Sequence, residues 1–173
     1  MIAFIRKLFG VQSLVVENQQ LKDALAIAYI SSNFGCFNRC GGECKGAALI
    51  NLERRRCSSG SMVMVCLDIG GLGALNQLIG ESAVNAKVRD CLKTVQGWRG
   101  ISFVAQLNSG DEFVLMVDSA DAEGLAERMR GLFISTGFSG LYAAVGAIDP
   151  GKTYVENANR LMELVYLEKL ASK

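Results

Sequence analysis

A continuous apolar run, Met62-Val63-Met64-Val65-Cys66-Leu67, stops at Asp68 and is followed by Gly70-Gly71-Leu72-Gly73. Its β-branched content and lack of alternation predict a strand buried on both faces. Two further apolar runs, 101–107 and 112–117, flank Asn108-Ser109-Gly110-Asp111, and a short glycine-containing gap between strands predicts a hairpin. Leu141 to Val145 reads as a fourth strand. Helical spacing of apolar residues predicts a helix after the glycines through Ile79 and another over 82–97, with Val84, Val88, Cys91, Leu92 and Val95 as its stripe. A third helix is predicted over 120–136, carrying Leu125, Met129, Leu132 and Phe133, and a last one over 153–170. Residues 33–60 read as a turn, a helix around Ala47-Ala48-Leu49-Ile50, and a basic loop at Arg54-Arg55-Arg56.

The first 30 residues read as a helix of a different kind. Val11, Leu14, Asn18, Leu21, Leu25 and Ala28 recur at steps of three and four, the pattern of a coiled-coil seam. Two to three heptads are marginal alone, so a parallel dimer stem competes with packing on the chain's own domain. The expected division is a helical stem over 1–30 and one domain over 31–173. The order of elements predicts the α/β (α+β) class: one mostly antiparallel sheet with helices packed on it.

Composition narrows the chemistry. The chain has 173 residues, half of them apolar and a fifth charged, with a formal net charge of +1. That balance argues against a broad basic surface for nucleic acid. There is no histidine, which removes histidine bases, triads and metal ligands together. No apolar run reaches the ~20 residues needed to cross a bilayer. Residues 1–9 are apolar with two cations, enough for weak contact with a membrane surface. Packing of that short stretch on protein is the favoured reading. Six cysteines without a secretory leader suggest reduced thiols and a cytoplasmic location. Cys36, Cys40, Cys44 and Cys57 could together supply four thiolates, but paired zinc-knuckle spacing is absent. Small buried hydrophobes are the favoured account of these cysteines.

The informative feature is acidic residues on separate strands. Asp68 ends a buried strand before a glycine-rich break, and Asp111-Glu112 sit in the hairpin bend. Neighbouring strands lie about 4.8 Å apart, so such ends can bring carboxylates together around a divalent metal. Phosphoryl and nucleotidyl transfer use hard oxygen ligands in this way. A rival pattern, Gly146 to Thr153, fits G-x-x-x-x-G-K-[ST], but too little chain follows it for a phosphate-loop fold.

At these residues the sequence resembles the GGDEF family of diguanylate cyclases. Asn108-Ser109-Gly110-Asp111-Glu112-Phe113 resembles the signature, with Ser109 replacing its first glycine. Leu67-Asp68-Ile69, Leu72 and Asn76 resemble the D-[IL]-D-x-F-K-x-x-N-D segment. Gly35-Cys36-Phe37-Asn38-Arg39 resembles the G-L-x-N-R element, and Ala143 to Ala147 the S-x-G-[IV]-[AS] strand. The four elements fall in family order and cover about residues 33–170. The resemblance implies a fold like nucleotide-cyclase and polymerase palms. It implies condensation of two GTP into cyclic di-GMP, with one GTP per protomer of a homodimer. It implies Mg²⁺ (or Mn²⁺) on Asp68, Asp111 and the Ile69 carbonyl, with Glu112 and Asp111 as catalytic carboxylates. It places Asn76 and Asn85 at guanine, and Ser109 and Gly110 over the phosphates.

The departures are specific. The lysine of the F-K pair falls on Gly73, and the second guanine-reading aspartate on Asn85, whose amide cannot give a bidentate carboxylate contact. Tyr166 stands where a phosphate-binding lysine is expected; Lys169 or Lys173, further along, would substitute. The inhibitory R-x-x-D site is missing, with Gly100 and Phe103 in its place. These losses keep open an alternative: a catalytically inactive domain that binds GTP or mediates dimers. A third reading makes the stem a partner-binding element to which GTP is irrelevant.

Overall fold

The structure, a computed structural model, describes residues 15–25, 28–56, 61–108 and 110–172. Its elements are α1 (Arg39–Arg56), β1 (Met62–Gly70), α2 (Leu72–Ile79), α3 (Glu81–Gln96), β2 (Ile101–Gln106), β3 (Glu112–Asp118), α4 (Leu125–Ser135), β4 (Gly140–Ala147) and α5 (Tyr154–Ala171). The strands form one sheet in the order β2-β3-β1-β4, each neighbour antiparallel. β1 is therefore an inner strand, as its unbroken apolar run predicts.

Both faces of the sheet are covered. Val65, Leu67 and Ile69 of β1, with Phe113, Leu115 and Val117 of β3, pack against α3 and α4. The alternate residues, Met64 and Cys66 with Val114 and Met116, pack against α1 and α5 through Ile50, Ala158, Leu161 and Val165. Alternation along a strand then dictates that Asp68 and Glu112 lie on the α5 face.

Two expectations shift. Arg54-Arg55-Arg56 is the last turn of α1 rather than a loop. The helix expected from 120 starts at Leu125, after a 3₁₀ turn over Ser119–Asp121. Asp118 takes the Ala120 amide with its side chain, and Gly124 turns the chain at φ 67°. Ile134, Leu164, Leu167 and Leu170 are exposed apolar residues of α4 and α5, so those helices are not wholly amphipathic. Residues 15–25 are helical, and Leu21 and Leu25 of the seam face solvent rather than the domain. Val11 and Leu14 lie outside the described residues. Among the described residues no helix is long and apolar enough to cross a membrane.

α1 carries Gly41, Gly42 and Gly46 in its first half, an arrangement that helix propensity opposes. Close approach explains it. A Cβ on Gly42 would stand 2.6 Å from the Cβ of Ala105 in β2, and one on Gly46 2.1 Å from the Tyr154 ring. Gly42→Ala is therefore expected to destabilise the protein by about 1–3 kcal/mol, overriding the ~1 kcal/mol that alanine gains in a free helix. Urea denaturation checks the sign; a higher midpoint would mean that α1 does not press on β2.

At the other end of the sheet, Arg130 of α4 donates to the Leu141 carbonyl (3.1 Å) and to Glu168 of α5 (2.7 Å). Glu168 accepts from the Ala143 amide (2.8 Å), and Arg160 donates to the Ala147 carbonyl (2.7 Å).

Candidate active site

The register of β1 and β3 sets Asp68 directly opposite Glu112. One step on, the Ile69 amide donates to the Asp111 carbonyl at 3.0 Å, which fixes the hairpin bend against the end of β1. Asp68 is 2% exposed and Glu112 8%. Asp68 and Glu112 thus stand opposite each other, with Asp111 next to Glu112 in the bend. Ser109, in the same bend, lies outside the described residues.

Buried carboxylates need partners, and α5 supplies them. Tyr166 and Lys169, three residues apart, share one face of that helix. Lys169 Nζ donates to both oxygens of Asp68, at 2.7 and 2.9 Å. The Tyr166 hydroxyl donates to one oxygen of Glu112, and Asn108 Nδ2 to the other at 2.9 Å. Burial pulls the Lys169 ammonium down, but the hydrogen bond and charge of Asp68 more than offset it and leave its pKa raised. The hydrogen bond to Glu112, then burial, pushes the Tyr166 phenol up to about 12. The sequence places Tyr166 at a lost lysine and Lys169 as a substitute phosphate ligand; in the structure both side chains rest on the acids. The family resemblance singles out both positions, but nothing in the sequence signals their contact with the acids.

Among the described residues Asp111 has no such side-chain partner. Burial, then the negative charge of Asp68, holds its carboxyl above the usual range. A carboxyl whose folded pKa is raised supports folding below its unfolded value and loses that support as pH rises through the folded one. At neutral pH its charge therefore costs stability. Asp111→Asn is expected to melt above the parent at pH 7, the difference closing as the pH falls below the carboxylate range. Melting curves at several pH values test this, and a variant that melts lower at pH 7 contradicts it.

On the other side of the bend lies a cleft of about 420 Å³. Gly110, Asp111, Asn76 and Asn85 line it, four of the residues the sequence singles out. Phe34 and Leu72 give it apolar walls, and Asn33, Gln106 and Glu81 add polar edges that the sequence does not reveal. Asn76 Oδ1 is buried without a hydrogen-bond partner. Leaving a buried acceptor unpaired among the described residues is costly, and Asn76 is one of the residues lining the cleft. Flat apolar walls with amide edges suit a nucleobase. Gly73 has open space where a side chain would project.

The Gly146–Thr153 pattern is not a phosphate cradle. Its amides are taken from within: Gly151 by the Asp149 side chain (2.8 Å), Lys152 by the Asp149 carbonyl (3.1 Å) and Thr153 by Glu156 (2.7 Å). Thr153 and Glu156 form a capping box that starts α5.

Cys36 and Cys66 are buried, and burial pushes their thiols up to about 11 and about 12. Cys91 is buried as well, but Cys40 and Cys44 are exposed, against the expectation of burial. Cys57 lies outside the described residues. Among those residues no group of three or more His, Cys, Asp or Glu stands ready around one metal position. The donor chemistry at the bend nevertheless fits a hard divalent cation: carboxylate oxygens of Asp68 and Asp111 and the backbone at Ile69. The Asp68 oxygens would first have to release Lys169.

This fold has counterparts among solved structures. The chain has the fold of GGDEF domains, the domains of diguanylate cyclases. A structure of the coiled coil and GGDEF domain of DgcB from Caulobacter crescentus, in complex with cyclic di-GMP, superposes with a TM-score of 0.78 at 13% identity. The match covers 100% of this chain and 97% of that one. A microbial GGDEF domain studied for its interaction with cyclic di-GMP gives 0.71 at 19% identity, over 83% and 94% of the two chains. Diguanylate cyclase SiaD from Pseudomonas aeruginosa, in complex with its activator SiaC, gives 0.66 at 19%, over 96% and 70%. No sequence-family model and no curated protein matches the chain.

Proposed function

We propose that the chain is a diguanylate cyclase-like domain that condenses two GTP into cyclic di-GMP. One observation carries this reading: Asp68, Asp111 and Glu112 meet at one bend, beside a cleft holding the unpaired Asn76 amide. In the reaction the 3′-hydroxyl of one GTP attacks the α-phosphorus of the other and pyrophosphate leaves; a second such step closes the ring. Asn76 and Asn85 hold the base, and Gly110 lets the backbone approach the phosphates. Glu112, between Asn108 and Tyr166, is placed to take the hydroxyl proton. Asp68, Asp111 and the Ile69 carbonyl would hold Mg²⁺ (or Mn²⁺), which supplies charge neutralisation at the triphosphate.

Each domain offers one such cleft, so two must face each other. Residues 1–30 are the proposed dimer stem on the domain at 31–173, and the solvent-facing Leu21 and Leu25 support it.

A second reading, an inactive GTP-binding or dimerising module, is favoured by Gly73 and Tyr166 at two lysine positions and by the Lys169–Asp68 pair. Incubation of the purified protein with GTP and Mg²⁺ or Mn²⁺, analysed by nucleotide chromatography, separates the two. The first reading expects cyclic di-GMP. Bound but unchanged GTP supports the second, and neither binding nor turnover removes both as nucleotide functions.

A further inference from the structure

Asp68 is reached by one cation among the described residues, and that cation belongs to the chain itself. Its side chain is 3% exposed, and Lys169 contacts both of its oxygens. Glu112 stands directly opposite in the register, and its two oxygens are engaged by Tyr166 and Asn108. The hydrogen bond and negative charge of Asp68, with the charge of Asp111, hold the ammonium where it is. An ammonium seated on both oxygens of a buried carboxylate competes with a divalent ion for its negative charge, so metal on Asp68 binds at the expense of the Lys169 contact.

Lys169 is able to leave. It sits in the last turn of α5, its side chain is 32% exposed, and its four-carbon stem is flexible. A triphosphate arriving beside the bend offers it a stronger anion with less burial than Asp68. We propose that Lys169 is a built-in counter-cation: it closes Asp68 to divalent metal in the free protein, and a bound triphosphate draws it off and opens the site. The proposal rests on the nucleotidyl-transfer reading. Metal and nucleotide then bind with positive coupling, and linkage requires each to raise the affinity of the other equally.

The test is a Mn²⁺ titration of the nucleotide-free full chain, followed by the loss of the free-ion paramagnetic resonance signal. Lys169→Met is expected to bind Mn²⁺ roughly ten- to a hundredfold more tightly than the parent, the usual range of such couplings. Lys169→Arg, which keeps the charge, is expected to remain weak. Adding Asp68→Asn to Lys169→Met should abolish the gain. If Lys169→Met fails to fold, as circular dichroism would show, Lys169→Gln serves in its place. Equal affinity in the parent and the neutral variants overturns the proposal, and with cyclic di-GMP still made it leaves the enzymatic reading intact. No Mn²⁺ binding by either protein, together with no product from GTP, overturns both.

Discussion

A Glu112→Gln protein is expected to fold, to melt close to the parent and, under the proposed cyclase reading, to make cyclic di-GMP at least about 10²-fold more slowly. The fold survives because the swap is nearly isosteric and the surrounding groups adapt. The glutamine oxygen can keep the Asn108 bond, and the Tyr166 hydroxyl, which donates to Glu112, can rotate and accept from the new amide. The chemistry does not survive, because a neutral amide can neither take a proton nor balance cationic charge; loss of a general base typically costs 10²–10⁴-fold. The same change removes the largest of several causes of the high Tyr166 pKa, so ultraviolet titration should show one tyrosine moving down from about 12. Chromatography of the GTP products and a melting curve check the two halves separately. Full activity in this variant would remove Glu112 from the chemistry, and collapse of the fold would show that its role is structural.

Phe113→Ala is expected to cost about 3–5 kcal/mol, the range for emptying a buried aromatic site. Set against the 5–15 kcal/mol of a typical domain, that leaves the protein marginal or unfolded. Phe113 is fully buried and follows Glu112 on β3, pointing to the opposite face. Its ring meets Phe34 edge-on, centroids 5.3 Å apart at 83°. Phe34 is also a wall of the cleft. Truncation therefore loosens the anchor of the hairpin and one side of the cleft together. Urea denaturation gives the cost, and binding of a fluorescent GTP analogue at low denaturant gives the functional share. Phe113→Leu should lose far less of each. A Phe113→Ala protein as stable as the parent would mean that this part of the sheet can collapse to fill the space.

Much of the fold was legible because both faces of the sheet are buried. An inner strand without alternation is unusual, and Met62–Leu67 announced β1 on that ground. The hairpin was legible from Gly110 and the two flanking runs. Boundaries were less so. Asp118 and Gly124 delay α4 by a local side-chain cap and a left-handed turn, which hydrophobic spacing does not register. The acids of the site could be found because they interrupt apolar strands. The partners of those acids could not. Tyr166 and Lys169 lie about a hundred residues from Asp68 in sequence, on a helix whose docking angle is a tertiary property. The cleft walls contributed by Phe34, Gln106 and Glu81 come from three separate elements for the same reason. Gly42 and Gly46 read as helix breakers, and only the nearness of Ala105 and Tyr154 explains them.

The side chains gathered along β4 have a consequence for association. β4 ends the sheet on one side, and a terminal strand offers unpaired amides and carbonyls to any extended chain that approaches. Here Arg130, Glu168 and Arg160 already occupy the Leu141, Ala143 and Ala147 groups. An incoming strand would have to evict a charged network before forming its first rung. Lengthening of the sheet along that margin is therefore opposed at those three groups by charged side chains already in place.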